Sequence, residues 1–325
     1  MEGLKGFGLA AALCMTACGA ESTPSRTADA GGGAGVSGGG ADGSGGSAGL
    51  AGGGKGGSAG SGAVAGAAGV GGVSGPAEIS CEPWVRVPIG ASESVLINNF
   101  WNEAWAEGKP YSQCLLRRTT DAGEQYGWNW SWPEYKPYSS YAAPEALFGW
   151  KAWDGGASTT TQLPRRIDAI ESLELDFAAE VAAGATHNFN ATMWITATDT
   201  ASATKNPADI RSEIMVWFAD PADLAGGTFD DGEVSIGGVD FHLWHVVNQP
   251  DASGGTTHTW TMLTYAAKND RYRGSFDLKL VLNDAVERGL VEPEYAVGGV
   301  ELITEVFGGS GELWLERFDV SVNGE

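Results

Sequence analysis

From Cys81 onward, short apolar or alternating runs recur between turns rich in glycine, aspartate and proline. Side chains alternate across a strand, so such runs are typical of an antiparallel sandwich or jelly roll. We therefore predict an all-β domain of two antiparallel sheets over residues 81–325. The runs that predict strands are Val95–Trp101, Leu173–Val181, His187–Thr198, Glu213–Phe218, Val234–Val246, His258–Ala267, Val297–Phe307 and Glu312–Val322.

One segment, Phe276–Gly289, departs from this alternation. Its apolar residues recur at helical spacing, and Gly289 is a typical C-terminal stop. The sequence therefore predicts one helix packed against the sheets. The residues on its apolar face are Leu278, Val281, Leu282, Ala285 and Val286.

Residues 19–80 consist mostly of glycine, alanine and serine. Such a segment cannot bury enough apolar surface to offset the entropy of an ordered chain. We expect a disordered tether there. Its Gly-x-Gly-x-x-Gly matches have no strand before them and no helix after them, so they indicate no dinucleotide site.

Residues 1–18 are typical of an export signal. The apolar run after Lys5 is too short to span a bilayer. It ends in small residues before Cys18, an arrangement similar to a bacterial lipoprotein cleavage box with Cys18 as the lipidated residue. Lipidation at Cys14, or cleavage near Ala20 to release a free product, are the alternatives. The sequence predicts an exported protein, envelope-anchored or extracellular, that meets a membrane only through this anchor.

Two cysteines remain after the leader, Cys81 and Cys114. An even pair in an exported chain favours a disulfide over two buried thiols. There is no zinc-binding pattern, because His242 and His245 lie three apart in a predicted strand and point to opposite faces. We expect neither a metal nor an organic cofactor.

The chain carries 41 acidic and 19 basic residues, a net charge of −22. A field of that sign repels phosphate backbones, which argues against nucleic acid as a partner. It is compatible with an uncharged polysaccharide, and it is explained equally well by solubility alone.

The strand Glu213–Phe218 places Glu213, Met215 and Trp217 on one face, while its other face is wholly apolar. A carboxylate flanked by a thioether and an indole is typical of the wall of a sugar-binding cleft. The alternative is an edge-strand glutamate beside two partly buried residues.

A second carboxylate pattern lies in the predicted strand Val297–Phe307. Glu301 and Glu305 fall on one face, four residues and about 13 Å apart at strand rise. That distance exceeds the roughly 5–5.5 Å of a retaining glycosidase pair and the roughly 6.5–9.5 Å of an inverting pair. A catalytic pair must therefore join Glu213 to one of these two across the sheet. Spacing alone leaves the choice open.

A third strand alternates polar and apolar residues. Its polar face either lies beside Glu213 or faces solvent, and the pattern leaves both open. The residues on that face are Asn188, Asn190, Thr192, Trp194 and Thr196.

Several ordered motifs together resemble glycoside hydrolase family 12. Glu213–Trp217, which reads Glu-Ile-Met-Val-Trp, resembles the family's nucleophile strand. The resemblance spans about residues 81–323. Its further motifs are Asn98–Trp101, Gln113-Cys114, Phe148–Lys151, the end of the predicted helix, and Val300–Glu305.

The resemblance implies a concave jelly roll with an open groove for a β-1,4-linked glucan, and retention through a covalent glycosyl-enzyme. It assigns Glu213 as the nucleophile and Glu305, rather than Glu301, as the acid/base. It further implies a carboxylate separation of about 5–5.5 Å. The substrate-binding residues that it implies are Asn99, Trp101, Trp194, Met215 and Trp217.

One position departs from the family pattern. Thr192 stands where the family often has an aspartate near the nucleophile. The lack of a neighbouring carboxylate would ease ionisation of Glu213, because like charges raise each other's pKa. Either the pH optimum or the choice of substrate would change.

We expect a monomeric, retaining, endo-acting hydrolase of cellulose, mixed-linkage glucan or xyloglucan. A non-catalytic carbohydrate-binding module and a structural envelope lipoprotein are the alternatives. The segments Tyr126–Tyr141 and Phe218–Gly232 are expected to be loops that decide the substrate. In the first, three tryptophans are either sugar platforms or loop packing, namely Trp128, Trp130 and Trp132.

Overall fold

The structure is a computed structural model that describes residues 75–134, 140–251 and 257–325. In this part of the chain seventeen strands accompany one α-helix. In chain order they are β1 (Ala77–Ser80), β2 (Arg86–Pro88), β3 (Ser94–Ile97), β4 (Ser112–Thr120), β5 (Gly123–Trp132), β6 (Glu145–Gly149), β7 (Arg165–Arg166), β8 (Leu173–Ala183), β9 (Thr186–His187), β10 (Phe189–Thr196), β11 (Ile210–Ala219), β12 (Phe229–Ile236), β13 (Val239–Pro250), β14 (Thr259–Ala267), β15 (Arg273–Asp277), α1 (Leu278–Glu287), β16 (Ala296–Ile303) and β17 (Val306–Val322).

These strands form two sheets, as predicted. The outer sheet has seven strands, in the order β1-β4-β5-β17-β8-β15 with β9 paired to β17. The inner sheet has ten, in the order β12-β13-β14-β11-β10-β16-β6-β3-β2 with β7 paired to β16. The inner sheet is mixed rather than purely antiparallel, because β11 and β14 run parallel. Side chains alternate in the same way in parallel and antiparallel strands, so the sequence pattern could not predict the parallel pair.

The core lies between the two sheets and collects one face of each strand. From β10 and β11 it takes Met193, Ile214 and Val216, all fully buried. Helix α1 covers part of this core, as predicted, with Leu278, Val281, Leu282 and Ala285 buried. Its N-terminus is capped by Asp277, whose side chain accepts a hydrogen bond from the Lys279 backbone N–H. Gly289 follows the helix with φ +69°.

The tryptophans expected in a loop lie instead in strand β5. Trp128, Trp130 and Trp132 are 0%, 2% and 4% exposed and pack into the core. Gly311 on the neighbouring β17 makes room for them, since a Cβ there would lie 2.3 Å from the Trp130 ring. The loop prediction was wrong for residues 126–132, because the three tryptophans recur with the two-residue period of a strand and share the face that lies against the core.

Two predicted strands are divided. Val234–Val246 is a hairpin of β12 and β13, turned by Gly237 and Gly238 with φ +57° and +76°. Val297–Phe307 is interrupted at residues 304–305, where the chain passes from β16 in the inner sheet to β17 in the outer sheet. Glu305 therefore lies in a crossover and not on one straight strand with Glu301.

The folded part begins before Cys81. Strand β1 pairs with β4, so the tether predicted to end at residue 80 was wrong in its last four residues. The side chains of β1 are mostly exposed, so this strand has no apolar pattern by which the sequence could have predicted it. The predicted disulfide between Cys81 and Cys114 is confirmed, with a Cα–Cα distance of 4.0 Å.

The remaining N-terminal predictions concern residues outside the described part of the chain. They are the leader over residues 1–18, lipidation at Cys18 and most of the tether. Among the residues that are described, no helix is both long and apolar enough to cross a membrane.

The contact between β5 and β17 yields a first prediction. A Cβ at Gly127 would lie 2.1 Å from the Leu313 carbonyl oxygen. Because backbone in a sheet cannot yield cheaply, Gly127→Ala should lower the free energy of unfolding by about 1–3 kcal/mol in urea denaturation. Gly274→Ala is the matched control, since a Cβ there would meet nothing nearer than 3.9 Å. Equal stability of the two variants would contradict this packing.

Candidate active site

Glu213 lies on β11, on the face of the inner sheet that is turned away from the outer sheet; we call this the site face. Its strand neighbours Ile214 and Val216 point into the core, as the alternation predicted. The residue as a whole is half-buried. Trp260 on β14 donates a hydrogen bond from Nε1 to Glu213 Oε2 at 3.1 Å.

Glu305 lies in the crossover between β16 and β17 and is held there by Asn188. The Asn188 amide Nδ2 donates to Glu305 Oε2 at 2.5 Å. In return the Glu305 backbone N–H donates to Asn188 Oδ1 at 3.1 Å. One asparagine thus fixes both the main chain and the carboxylate of Glu305.

The two carboxyl groups are within electrostatic reach of each other. Burial raises the pKa of Glu213 to about 8, with a further rise from the negative charge of Glu305 and opposing effects from Trp260 and Lys151. Burial also raises the pKa of Glu305 to about 7, opposed by the Asn188 hydrogen bond and assisted by the charge of Asp220. Near neutral pH the two groups together therefore retain about one proton.

Glu301, the other candidate, is committed to a buried ion pair. Lys151 Nζ lies 2.7 Å from Glu145 Oε1 and 3.1 Å from Glu301 Oε2. All three side chains are at most 3% exposed. Sequence reasoning missed Glu145. Its signal was an acidic residue at the start of an otherwise apolar strand, β6.

This buried triad contacts two of the predicted substrate-binding residues. Asn99 Nδ2 donates to Glu145 Oε2 at 3.2 Å, and Trp194 Nε1 donates to Glu301 Oε2 at 3.3 Å. Asn99 and Trp194 are only 2% and 5% exposed. Both therefore support the site from beneath more than they offer surface to a ligand.

Trp101 is the more open of the aromatic candidates. It is partly exposed and meets Trp153 edge to face, with ring centroids 5.9 Å apart. Trp153 in turn packs at 5.5 Å from Trp194 and 5.3 Å from Trp260. The cluster thus connects Trp101 to the indole that holds Glu213. No sequence pattern singled out Trp153 or Trp260, because their contacts join distant parts of the chain.

Met215 and Trp217 follow Glu213 along the site face, as predicted. They are 5% and 6% exposed, and Trp217 Nε1 contacts Met215 Sδ at 3.4 Å. Phe307 belongs to the same buried cluster, and Trp244 on β13 and Met262 on β14 pack against it. An apolar wall therefore flanks the two carboxylates on this side.

Thr192 lies on the site face between Met215 and Glu301 in the sheet register. Its hydroxyl donates to Asn190 Oδ1 at 2.7 Å, and Asn190 contacts Asn188. The interactions of Thr192 therefore run along β10 towards Glu305 and not towards Glu213.

Comparison with known proteins gives consistent results. The family model described as Glycosyl hydrolase family 12 matches residues 93–323. A curated relative, Endoglucanase S of Pectobacterium parmentieri, is 24% identical over 182 residues, which are 56% of this chain and 66% of that protein. The match thus spans just under two thirds of that relative's length.

Solved structures share the fold. The native family 12 xyloglucanase from Bacillus licheniformis superposes with a TM-score of 0.65 at 23% identity, over 75% of this chain and 99% of that chain. Endoglucanase cel12A from Rhodothermus marinus gives 0.60 at 20% identity, over 75% and 98%. At these identities the likeness shows the fold alone, a two-sheet β-jelly roll.

The buried triad leads to a prediction about stability and pH. Burial, together with the charge of Glu301, raises the pKa of Glu145 well above its usual range. The unfolded chain releases this proton near pH 4.3, while the folded chain keeps it to higher pH. The contribution of Glu145 is therefore full below about pH 4.3 and is lost as the pH rises towards the folded-state pKa.

Glu145→Gln should accordingly make the fall in unfolding free energy between pH 4 and pH 8 shallower, by up to about 1.4 kcal/mol per pH unit. Guanidinium denaturation over a pH series measures this slope. The exposed Glu82→Gln is the control and should leave it unchanged. If the wild type and Glu145→Gln had the same slope, Glu145 would not retain a proton.

Proposed function

Because the chain belongs to glycoside hydrolase family 12, we propose that it is a retaining, endo-acting hydrolase of β-1,4-glucan chains. The observation that carries this proposal is the pair formed by Glu213 and Glu305. Glu213 comes from β11 and Glu305 from the crossover between β16 and β17. The two interact electrostatically, and the side chain of each accepts a hydrogen bond from one donor. Two carboxyl groups that share about one proton are what double displacement at a glycosidic bond requires.

In the first step, ionised Glu213 attacks the anomeric carbon while protonated Glu305 donates its proton to the departing glycosidic oxygen. The C–O bond to the leaving sugar breaks, and a covalent glycosyl ester forms on Glu213. In the second step, Glu305 takes a proton from water, which attacks the same carbon and releases Glu213. Two inversions leave the product with retained configuration.

Individual interactions favour this division of roles, although burial, the largest effect, favours the protonated form of both carboxyls. The positive charge of Lys151 and the Trp260 N–H both stabilise the ionised form of Glu213. The negative charge of Asp220 favours the protonated form of Glu305. In the free protein the pKa values of about 8 and about 7 place the proton more on Glu213. Substrate binding must therefore move the proton to Glu305, and the binding energy of a polysaccharide is available for this.

The aromatic side chains suit a neutral sugar chain. Trp101 presents a partly exposed indole on which a pyranose face can stack, and the wall of Met215 and Trp217 lies beyond the nucleophile. We propose β-glucan as the substrate class, namely cellulose, mixed-linkage glucan or xyloglucan. The relatives' names, xyloglucanase and endoglucanase, support the class without choosing a member. The proposed chemistry uses no metal or organic cofactor.

The test combines two variants with a panel of carboxymethyl-cellulose, barley β-glucan and xyloglucan. Glu213→Gln and Glu305→Gln should each lower reducing-sugar release by at least about 10³-fold, because each removes a group that changes charge in the transition state. The exposed Glu171→Gln is the control and should match the wild type. Proton NMR of early products should show the β-anomer. Near wild-type hydrolysis by either Gln variant would sink the assignment, and glucan binding without hydrolysis would favour a carbohydrate-binding module.

We also propose that the protein is exported and anchored by a lipid on Cys18, and that it acts as a monomer. The disulfide between Cys81 and Cys114 supports export, because disulfides persist in oxidising compartments. Lipidation would hold the domain at the envelope through the glycine-rich segment.

Radiolabelled palmitate incorporation tests the anchor. Cys18→Ser should abolish labelling and move the protein to the soluble fraction. Cys14→Ser is the matched control and should remain labelled. Labelling that survives Cys18→Ser but not Cys14→Ser would place the anchor at Cys14, and no labelling of the wild type would favour a free secreted product.

A further inference from the structure

Three buried side chains on β10 and just before it form a continuous hydrogen-bonded relay that ends on Glu305. Thr192 Oγ1 donates to Asn190 Oδ1 at 2.7 Å, and Asn190 Nδ2 donates to Asn188 Oδ1 at 2.9 Å. Asn188 Nδ2 then donates to Glu305 Oε2 at 2.5 Å. Asn188, Asn190 and Thr192 are each 0% exposed, so water does not compete for these bonds.

The backbone determines the direction of the relay. The Glu305 N–H points at the Asn188 side chain at 3.1 Å and is able only to donate. The Asn188 oxygen must therefore face it, which turns Asn188 Nδ2 towards the carboxylate. Because that same oxygen also accepts from Asn190, the Asn190 amide presents its nitrogen to Asn188 and its oxygen to Thr192. Thr192 supplies the hydroxyl proton that this oxygen needs.

Removal of that hydroxyl proton would leave Asn190 Oδ1 buried without a donor, which is costly. The Asn190 amide can relieve this cost only by moving towards another donor, which withdraws Nδ2 from Asn188. Asn188 would then lose one of the two donors that hold its oxygen, and its grip on Glu305 would loosen. The hydroxyl of Thr192 thus acts on Glu305 through two amides.

We propose that Thr192 and Asn190 are positioning residues for Glu305, which act through Asn188 to hold Oε2 so that Oε1 is presented to the glycosidic oxygen. This rests on the proposed role of Glu305 as the acid/base. It also assigns a role to the Thr192 hydroxyl itself, in addition to the effect of lacking an aspartate near Glu213.

A defect in an acid catalyst has a distinctive signature. A sugar hydroxyl is a poor leaving group and needs protonation, whereas dinitrophenolate departs without it. Poor positioning of Glu305 should therefore slow glycosylation by a glucan and spare an activated aryl glycoside. A loss of folding or of the nucleophile would slow both. kcat/KM depends only on the steps up to and including the first irreversible one. It therefore isolates glycosylation, the step in which Glu305 acts as an acid.

The experiment compares Thr192→Val, Thr192→Ser and Thr196→Val on barley β-glucan and on 2,4-dinitrophenyl β-cellobioside. Thr196 lies on the same strand and face and is 0% exposed, but its hydroxyl bonds the carbonyls of Thr198 and Ala296 outside the relay. Thr192→Val should lose about tenfold in kcat/KM on glucan and less than about twofold on the aryl glycoside. Thr192→Ser keeps the donor and should restore glucan activity. Thr196→Val should show no difference between substrates.

Asn190→Ala interrupts the same relay and should reproduce the selective loss if Thr192→Val does not fold. Equal losses on both substrates in Thr192→Val and Asn190→Ala would overturn the positioning role. A selective loss in Thr196→Val as large as in Thr192→Val would overturn it as well. A wild-type protein inactive on both substrates would instead overturn the proposed function, which keeps the two failures distinct.

Discussion

The structure depends on how it accommodates buried acidic groups on one face of the inner sheet. Glu145 and Glu301 share Lys151, and Glu213 and Glu305 lie on the same side of the sheet. Burial disfavours the charged form of each of these carboxyls and raises its pKa. The fold tolerates the cost by placing Lys151 between Glu145 and Glu301 and by letting Glu145, Glu213 and Glu305 keep a proton to higher pH.

The buried acidic groups fall into two sets, one that supports the surrounding structure and one that is suited to chemistry. The triad of Glu145, Lys151 and Glu301 is sealed from solvent, and its carboxyl groups accept hydrogen bonds that hold Asn99 and Trp194 in place. Glu213 and Glu305 remain partly open and are each restrained by a single side-chain donor. Carboxyls that retain a proton near neutral pH and can still reach a ligand are suited to proton transfer.

The aromatic and amide groups around the pair act as rigid connections. Trp153 packs against both Trp101 and Trp260, and Trp260 holds the carboxyl of Glu213, the proposed nucleophile. A sugar stacked on Trp101 would therefore have a fixed position relative to Glu213. On the other side, the relay from Thr192 ends on Glu305. Both connections run across or along strands of the inner sheet, whose packed core limits their movement.

The sequence by itself determined the features that depend on local periodicity and on ordered motifs. Alternation in Glu213–Phe218 separated core from site face, helical spacing identified α1, and the motif order identified the family. It could not show that Trp128 fills the core, since burial depends on the sheet opposite.

Only the tertiary structure shows how the surroundings of Glu301 and Glu305 differ. Glu301 pairs with Lys151, which is 150 residues away along the chain. Glu305 lies in the crossover after β16, where it is hydrogen-bonded to Asn188. Charge pairing and desolvation depend on which strands become neighbours in the fold. The two-residue period of a strand or the 3.6-residue period of a helix does not specify those neighbours.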